Sequence, residues 1–211
     1  MFVVDRNRFI TRLVAGKDVL DVGCVNHQVE SRIITRWLHG EIAEVAHSVL
    51  GLDYEAAEVE KLKVLGFQVM TADATDFKLD RTFDAIVGGE IMEHLPNAGG
   101  FLKCARSHLR VGGKLILSTP NAICITYFLQ NLLHGRELDN PDHVCLFSPT
   151  TLTTLLKKCG YRVDSITFYP EAALDSRENK FTYCIRQALQ LAVAYCRPSL
   201  CHHFIAVASA A

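Results

Sequence analysis

Lys17-Asp18-Val19-Leu20-Asp21-Val22-Gly23-Cys24-Val25-Asn26 is the stretch that decides the fold. A short run rich in β-branched residues (Lys17–Val22) stops at a glycine, as a buried strand does when it feeds a tight turn. Working outward, Ser48–Asp53 (SVLGLD) reads as a second buried strand, Phe67–Thr71 as a third and Thr82–Gly88 as a fourth. Between them, Gln28–His39 has helical spacing, with Val29, Ile33, Trp37 and Leu38 towards one side. Glu55–Leu65 is an amphipathic helix closed by Gly66. Asn97 caps a helix to about Leu109, and Gly112-Gly113 turn the chain into a fifth strand, Lys114–Ser118. Strands that alternate with helices imply right-handed crossovers and a parallel sheet covered on both faces, an α/β class.

Beyond the fifth strand the pattern changes. Pro120–Phe147 holds a short helix (Tyr127–Leu133) and then HGRELDNPDH, polar and turn-rich, which reads as a lid or loop insertion. Ser148-Pro149 starts a helix that ends at Gly160, and Tyr161–Phe168 is a sixth strand. Glu178–Tyr195 is an apolar-rich helix and His202–Ala208 a last strand. Within it, Phe181–Tyr195 offers a cover for an acceptor pocket, a homodimer face, or burial against its own sheet.

The 211 residues suit one domain, with 49% hydrophobic and 21% charged residues, which excludes a disordered or collagen-like chain. With 22 basic and 23 acidic residues the net charge is -1, so a general affinity for nucleic acid is not expected. The eight cysteines contain no CxxC pair and read as reduced thiols of a cytoplasmic protein. MFVVDRNRFITRL lacks the apolar core of a signal peptide, and Ala188–Cys196 falls far short of the ~18 residues a membrane span needs.

In a doubly wound sheet, ligands bind outside the carboxyl ends of the strands. Gathered there are Asp21, Gly23, Cys24 and Asn26; Asp53 and Tyr54; Asp73 and Ala74; Gly89 and Glu90; and Ser118-Thr119-Pro120-Asn121. Gly23 permits a tight turn. An acid at the end of strand two suits the paired hydroxyls of a ribose, and Asp53 holds that place. Asp73 suits an exocyclic amine, and Tyr54 and Phe77 offer ring faces. Each residue alone serves equally well as a turn or a cap; the argument rests on the set. A nicotinamide oxidoreductase would need a three-glycine fingerprint to seat a pyrophosphate, and Gly23 stands alone.

Together, VLDVGC, VLGLD, TADATDF, FDAIVGGEIMEHL, LRVGGKLILSTPN and FSPTTLTTLLKKCGY resemble the successive motifs of class I S-adenosylmethionine-dependent methyltransferases. The nearest likeness is to the ubiquinone-biosynthesis O-methyltransferase branch, over roughly Lys17 to Phe168. The resemblance implies a Rossmann-like three-layer sandwich with a seven-stranded sheet, its last strand antiparallel. It implies S-adenosylmethionine as cofactor and a small-molecule acceptor, with a non-catalytic binding module or an RNA 2′-O-methyltransferase as alternatives. Carried over, Asp21 and Gly23 belong to the methionine side, Asp53 to the ribose, Asp73 and Ala74 to adenine, and Gly89 and Glu90 to the floor beside the sulfonium. Val25 departs from the pattern, standing where the family has a second glycine; a β-branched residue tolerates positive φ badly, so the loop is expected to differ, with Asn26 or His27 at the cofactor.

A second constellation follows strand four. Glu90, Glu93 and His94 lie at i, i+3 and i+4 and would share a face if helical, with His143 returning from the insertion. Two carboxylates and two imidazoles suit one divalent ion, magnesium, manganese or zinc, a likeness to small-RNA 2′-O-methyltransferases. Without a metal, His94 or His143 is the expected general base, with Glu93 beside it; a structural role for the histidines is the third reading. Arg110 and Arg136 suit an anionic substrate or plain solvation, and His202-His203 are expected at the surface.

Overall fold

The computed structural model describes residues 1–25, 37–135, 140–170, 188, 191–193 and 195–211. Seven strands form one sheet: β1 Asp18–Val22, β2 Ser48–Asp53, β3 Val69–Thr71, β4 Phe83–Gly89, β5 Leu109–Pro120, β6 Tyr161–Tyr169 and β7 His203–Ala210. Their order is β3-β2-β1-β4-β5-β7-β6. β1 to β5 pair in parallel, and β7 runs antiparallel between β5 and β6.

The period of two along each strand builds the layers. Leu20, Val22, Leu52, Ile86, Leu115 and Leu117 face one side. There they meet Phe101 and Leu102 of α4 (Ala98–Ser107) and Leu152 and Leu156 of α6 (Pro149–Lys158). Val19, Ala85, Val87 and Ile116 face the other side, against Ile10 and Val14 of α1 (Arg6–Val14) and Leu38 and Ile42 of α2 (Leu38–Val45). α3 (Ala56–Val64) packs Val59 and Leu62 against Cys24 and Val69. The three-layer α/β sandwich with an antiparallel last strand agrees with the expectation.

Local chemistry sets the helix ends. The Asn97 side chain accepts from Gly100 N, and Ser148 and Thr151 form a reciprocal capping box behind Pro149. α5 (Ile125–His134) is longer than expected and ends at left-handed Gly135. Two elements escape the periodicity. α1 was not anticipated: Asp5 caps it, and residues ahead of it bond the edge of β6, Val3 N to Phe168 O at 2.9 Å and Phe168 N to Met1 O at 2.9 Å. α2 begins where the sequence reading ended a helix, at Trp37–His39; residues 28–36 of that reading lie outside the described residues. So do Asn26, His27, Arg136 and most of the expected Glu178–Tyr195 helix. Among the described residues, no helix is long and apolar enough to cross a membrane.

Candidate active site

The carboxyl ends of β1, β2, β4 and β5 open on one side of the sheet. At β1, Gly23 takes φ 78° and its N–H donates to Leu52 O at 2.8 Å. This glycine alone meets the loop's need for positive φ among its described residues, so Val25 fits without strain. Val25 N instead donates to Asp53 Oδ2 at 2.9 Å, while Glu55 N donates to Asp53 Oδ1 at 3.1 Å. Asp53 thus ties the first loop to the end of β2. A carboxylate has about four acceptor positions, so with three backbone donors on Asp53 about one is left for a ligand. Burial raises the Asp53 pKa, against the pull of the backbone donors of Val25, Glu55 and Tyr54. Burial likewise pushes the Cys24 thiol far up, helped by Asp21 and Asp53, so it stays protonated and packs as an apolar side chain.

Asp21 is 2% exposed, and its Oδ2 lies 2.9 Å from His39 Nδ1. Tyr54 is exposed at the rim and Ala74 is buried. Exposed Asp73 accepts at one oxygen from both the N–H and the hydroxyl of Thr75, each at 2.7 Å, and these bonds hold its pKa low. It therefore closes a turn and keeps its second oxygen for a ligand. Phe77 corrects the sequence reading: it is 3% exposed and packs on His108 at 4.7 Å, so it offers no face to a ring at the surface. Its partner is fixed there, because His108 Nε2 accepts from Leu79 N at 3.0 Å.

Beyond β4 the chain turns sharply. Glu90 has φ 53°, the one non-glycine with positive φ among the described residues, a conformation that costs about 1–3 kcal/mol unless its surroundings hold it. Its N–H donates to Ser118 O at 3.0 Å and to Ser118 Oγ at 3.2 Å. Its carboxylate points away from the turn that follows. Tyr169 donates its hydroxyl to Glu90 Oε1 at 2.6 Å, Arg6 Nη1 stands 3.6 Å from the same oxygen, and His203 Nε2 stands 3.4 Å from Oε2. Burial drives His203 down to about 3, so its imidazole is neutral near pH 7 and stacks on Tyr169 at 12°. Arg6 is then the cation of the cluster. Burial opposes the Glu90 charge, but the surrounding partners hold its pKa below the usual carboxylate value.

Residues Met92–His94 form a 3-10 turn rather than an α-helix. Its tighter pitch, starting after the left-handed Glu90, separates Glu90 from Glu93 and His94, which the sequence placed on one face. Glu93 is 1% exposed and accepts from the Thr119 hydroxyl at 3.0 Å. Burial, with the charge of Glu90, raises its pKa to about 8. The main chain of the returning insertion docks on it, Val144 N and Cys145 N donating to Glu93 O at 2.8 and 3.3 Å. His94 Nδ1 donates to Asp142 O at 3.1 Å, and the His94 and His143 rings meet edge to face at 4.8 Å. Ligand atoms of Glu93, His94 and His143 lie within 4.8 Å of one another. Three of the four residues expected to converge do so, and Glu90 belongs to the Arg6 cluster.

Sequence reasoning missed Arg6, His39, Tyr169 and His203. No motif marks them, and only the fold brings α1, α2, β6 and β7 to the ends of β1 and β4. His202 is 8% exposed and His203 partly buried, which corrects their expected surface placement. β7 is inserted between β5 and the edge strand β6 and carries its first residues inside.

A sheet of this order is a doubly wound α/β sandwich, a class whose ligands bind outside the carboxyl ends of the strands. A methyltransferase domain model matches residues 4–166, and the chain belongs to that family. A probable S-adenosylmethionine-dependent methyltransferase of Mycolicibacterium smegmatis is 30% identical over 154 residues, 71% of this chain and 54% of the relative. The mitochondrial ubiquinone biosynthesis O-methyltransferase of Rattus norvegicus is 26% identical over 170 residues, 72% of this chain and 46% of the relative. The chain thus spans about half the length of these curated relatives. Among solved structures, an S-adenosylmethionine-dependent methyltransferase from Archaeoglobus fulgidus superposes with a TM-score of 0.62 at 19% identity, covering 95% of this chain and 89% of that one. A glycopeptide N-methyltransferase complexed with S-adenosylmethionine gives 0.61 at 15% identity, covering 97% and 86%.

Proposed function

We propose that this protein transfers the methyl group of S-adenosylmethionine to a hydroxyl of a small-molecule acceptor, phenolic, sugar or lipid-linked. The observation that carries the reading is the convergence of Glu93, His94 and His143 beyond β4, one turn from Gly89 and Glu90. Asp21, Gly23 and Cys24 take the methionine side and Asp53 with Tyr54 the ribose. Asp73 and Ala74 take the adenine, and Gly89 and Glu90 the floor. Arg6, drawn in by Glu90 and Asp21, supplies a cation suited to the methionine carboxylate.

The sulfonium is an activated donor, so most of the catalysis is positioning and exclusion of water. The acceptor oxygen attacks the methyl carbon in line, the carbon–sulfur bond breaks, and sulfur keeps the electron pair. The hydroxyl proton must leave, and His94 is placed to take it. Its Nδ1–H is committed to Asp142 O, which leaves Nε2 as the basic nitrogen. The 140–147 segment acts as the acceptor-side cover, because its backbone is fastened to Glu93.

A second reading has one observation in its favour. One carboxylate and two imidazoles within 4.8 Å are a donor set suited to a divalent ion. Such an ion would lower the pKa of an acceptor hydroxyl. Glu93 would first have to release the proton it holds to about pH 8.

The test is a turnover assay over phenols, sugars, lipid-linked alcohols, a short RNA and matched amines, with and without chelator. Methylated hydroxyl products support the proposal. Methylation of amines alone, or of RNA alone, overturns the acceptor assignment. Loss of turnover with chelator, with S-adenosylhomocysteine binding intact, selects the metal; chelator-resistant turnover selects the base.

A further inference from the structure

Three consecutive residues at the start of α2 each hold a different part of the strand-end groove. Trp37 Nε1 donates to Cys24 O at 2.8 Å. Leu38 presses on Gly89, where an added Cβ would stand 2.8 Å from Leu38 Cδ2. His39 Nδ1 meets Asp21 Oδ2 at 2.9 Å. His39 is 1% exposed, and its Nε2 has no hydrogen-bond partner among the described residues. Nδ1 therefore carries the proton given to Asp21, and the ring serves that one bond.

The ring is also held still. It lies 5.2 Å from the Trp37 ring and 5.8 Å from that of Phe67. Its Cε1 sits so close to the backbone of β2 that a Cβ on Gly51 would come within 2.8 Å. A buried histidine with a single satisfied nitrogen gains little as a core residue, since burying an unbonded ring nitrogen costs free energy. What the arrangement does is fix the torsion of Asp21. With Oδ2 bound to His39, Oδ1 has no hydrogen bond from a described residue, and Asp21 stands two positions before the Gly23 turn.

We propose that His39 is a positioning residue that orients Asp21 so that its Oδ1 receives the ammonium of the methionine end of S-adenosylmethionine. A charged donor on a carboxylate fixed in advance forms a stronger bond than one on a carboxylate free to rotate, because the ordering cost has already been met. The inference rests on the reading of the strand-end groove as the cofactor site.

Calorimetry with two ligands tests it. S-adenosylhomocysteine keeps the amino-acid end, whereas 5′-methylthioadenosine keeps adenine, ribose and sulfur but lacks it. His39→Leu should weaken S-adenosylhomocysteine roughly tenfold and leave 5′-methylthioadenosine unchanged. His39→Asn, whose amide can donate from near the Nδ1 position, should restore most of the loss, and His39→Gln should not. If His39→Leu does not fold, the Asn and Gln pair carries the comparison. Equal weakening of both ligands would assign His39 to the loop's structure alone and overturn the proposal, as would unchanged affinity for S-adenosylhomocysteine. Wild-type protein that binds neither ligand would refute the cofactor reading itself. Wild type that binds both equally would refute the contact of Asp21 with the methionine end.

Discussion

Two pairs of carboxylates at opposite ends of the same sheet are held in opposite ways. At the amino ends of the strands, Asp18 and Asp84 share Arg110, at 2.8 and 2.9 Å. Ser48 Oγ donates to Asp18, and Asp18 N donates to Asp84. These bonds, with Arg110, hold both acids below their usual pKa. At the carboxyl ends, Asp53 and Glu93 are buried, meet backbone and hydroxyl donors rather than cations, and are raised. One end satisfies its charges with protein. The other holds Glu90 in the Arg6 cluster but keeps Asp53 and Glu93 buried without a cation, the kind of perturbed acid that marks a candidate site.

The sharpest way to break the comparison is at the site end. His94→Ala should cut turnover on a hydroxyl acceptor by about 10²–10⁴-fold while S-adenosylhomocysteine binds as in wild type. An active variant would show that the proton leaves by another route. Next, Asp53→Ala should weaken S-adenosylhomocysteine about ten- to a hundredfold by calorimetry. The loss combines the ribose contact with the bond to Val25 N, so Asp53→Asn, which keeps an acceptor oxygen, should fall between.

The third prediction concerns stability against pH. Glu93 keeps its proton to about pH 8 in the fold, while the unfolded chain releases it near pH ~4.3. The native state therefore binds more protons in that window, and its stability falls as pH rises through it. Urea denaturation at pH 5 and pH 9 should show a decline of roughly a few kcal/mol from this group, which Glu93→Gln should flatten. An unchanged slope in the variant would mean that Glu93 ionises normally. The smallest effect belongs to the other end: Arg110→Ala should barely move the thermal midpoint and leave cofactor affinity unchanged, because the pair is screened by water. A large loss of affinity there would erase the distinction between the two ends.

Much of this architecture was legible in the chain. Runs such as SVLGLD and KLILS are buried on both faces, so their apolar content marks them whatever the context. The strand-end acids were legible because a parallel sheet gathers its strand ends on one side. Partnerships that cross the fold were hidden. Nothing in DRNRF says that Arg6 will stand beside Glu90, since 84 positions separate them and only the pairing of Val3 with Phe168 aims α1. The separation of Glu90 from Glu93 was equally hidden, because spacing alone does not tell a helical turn from a left-handed residue followed by a 3-10 turn. Phe77 shows the reverse error: an aromatic next to a site motif was read as a ligand surface when it belongs to the core.

The place of β7 has a consequence for synthesis. It pairs with β5 from Lys114 to Pro120 and with β6 from Tyr161 to Tyr169, yet it follows both in the chain. As a ribosome extends the polypeptide at about 5–20 residues per second, β5 emerges seconds before the strand that will lie beside it. During that interval Leu115, Ile116 and Leu117 border an open edge, the kind of surface that recruits another unfinished chain. His203, which helps enclose Glu90, arrives last. The enclosure of Glu90 is thus completed only when the sheet closes, and a nascent chain stalled before His203 would lack it and be prone to aggregate.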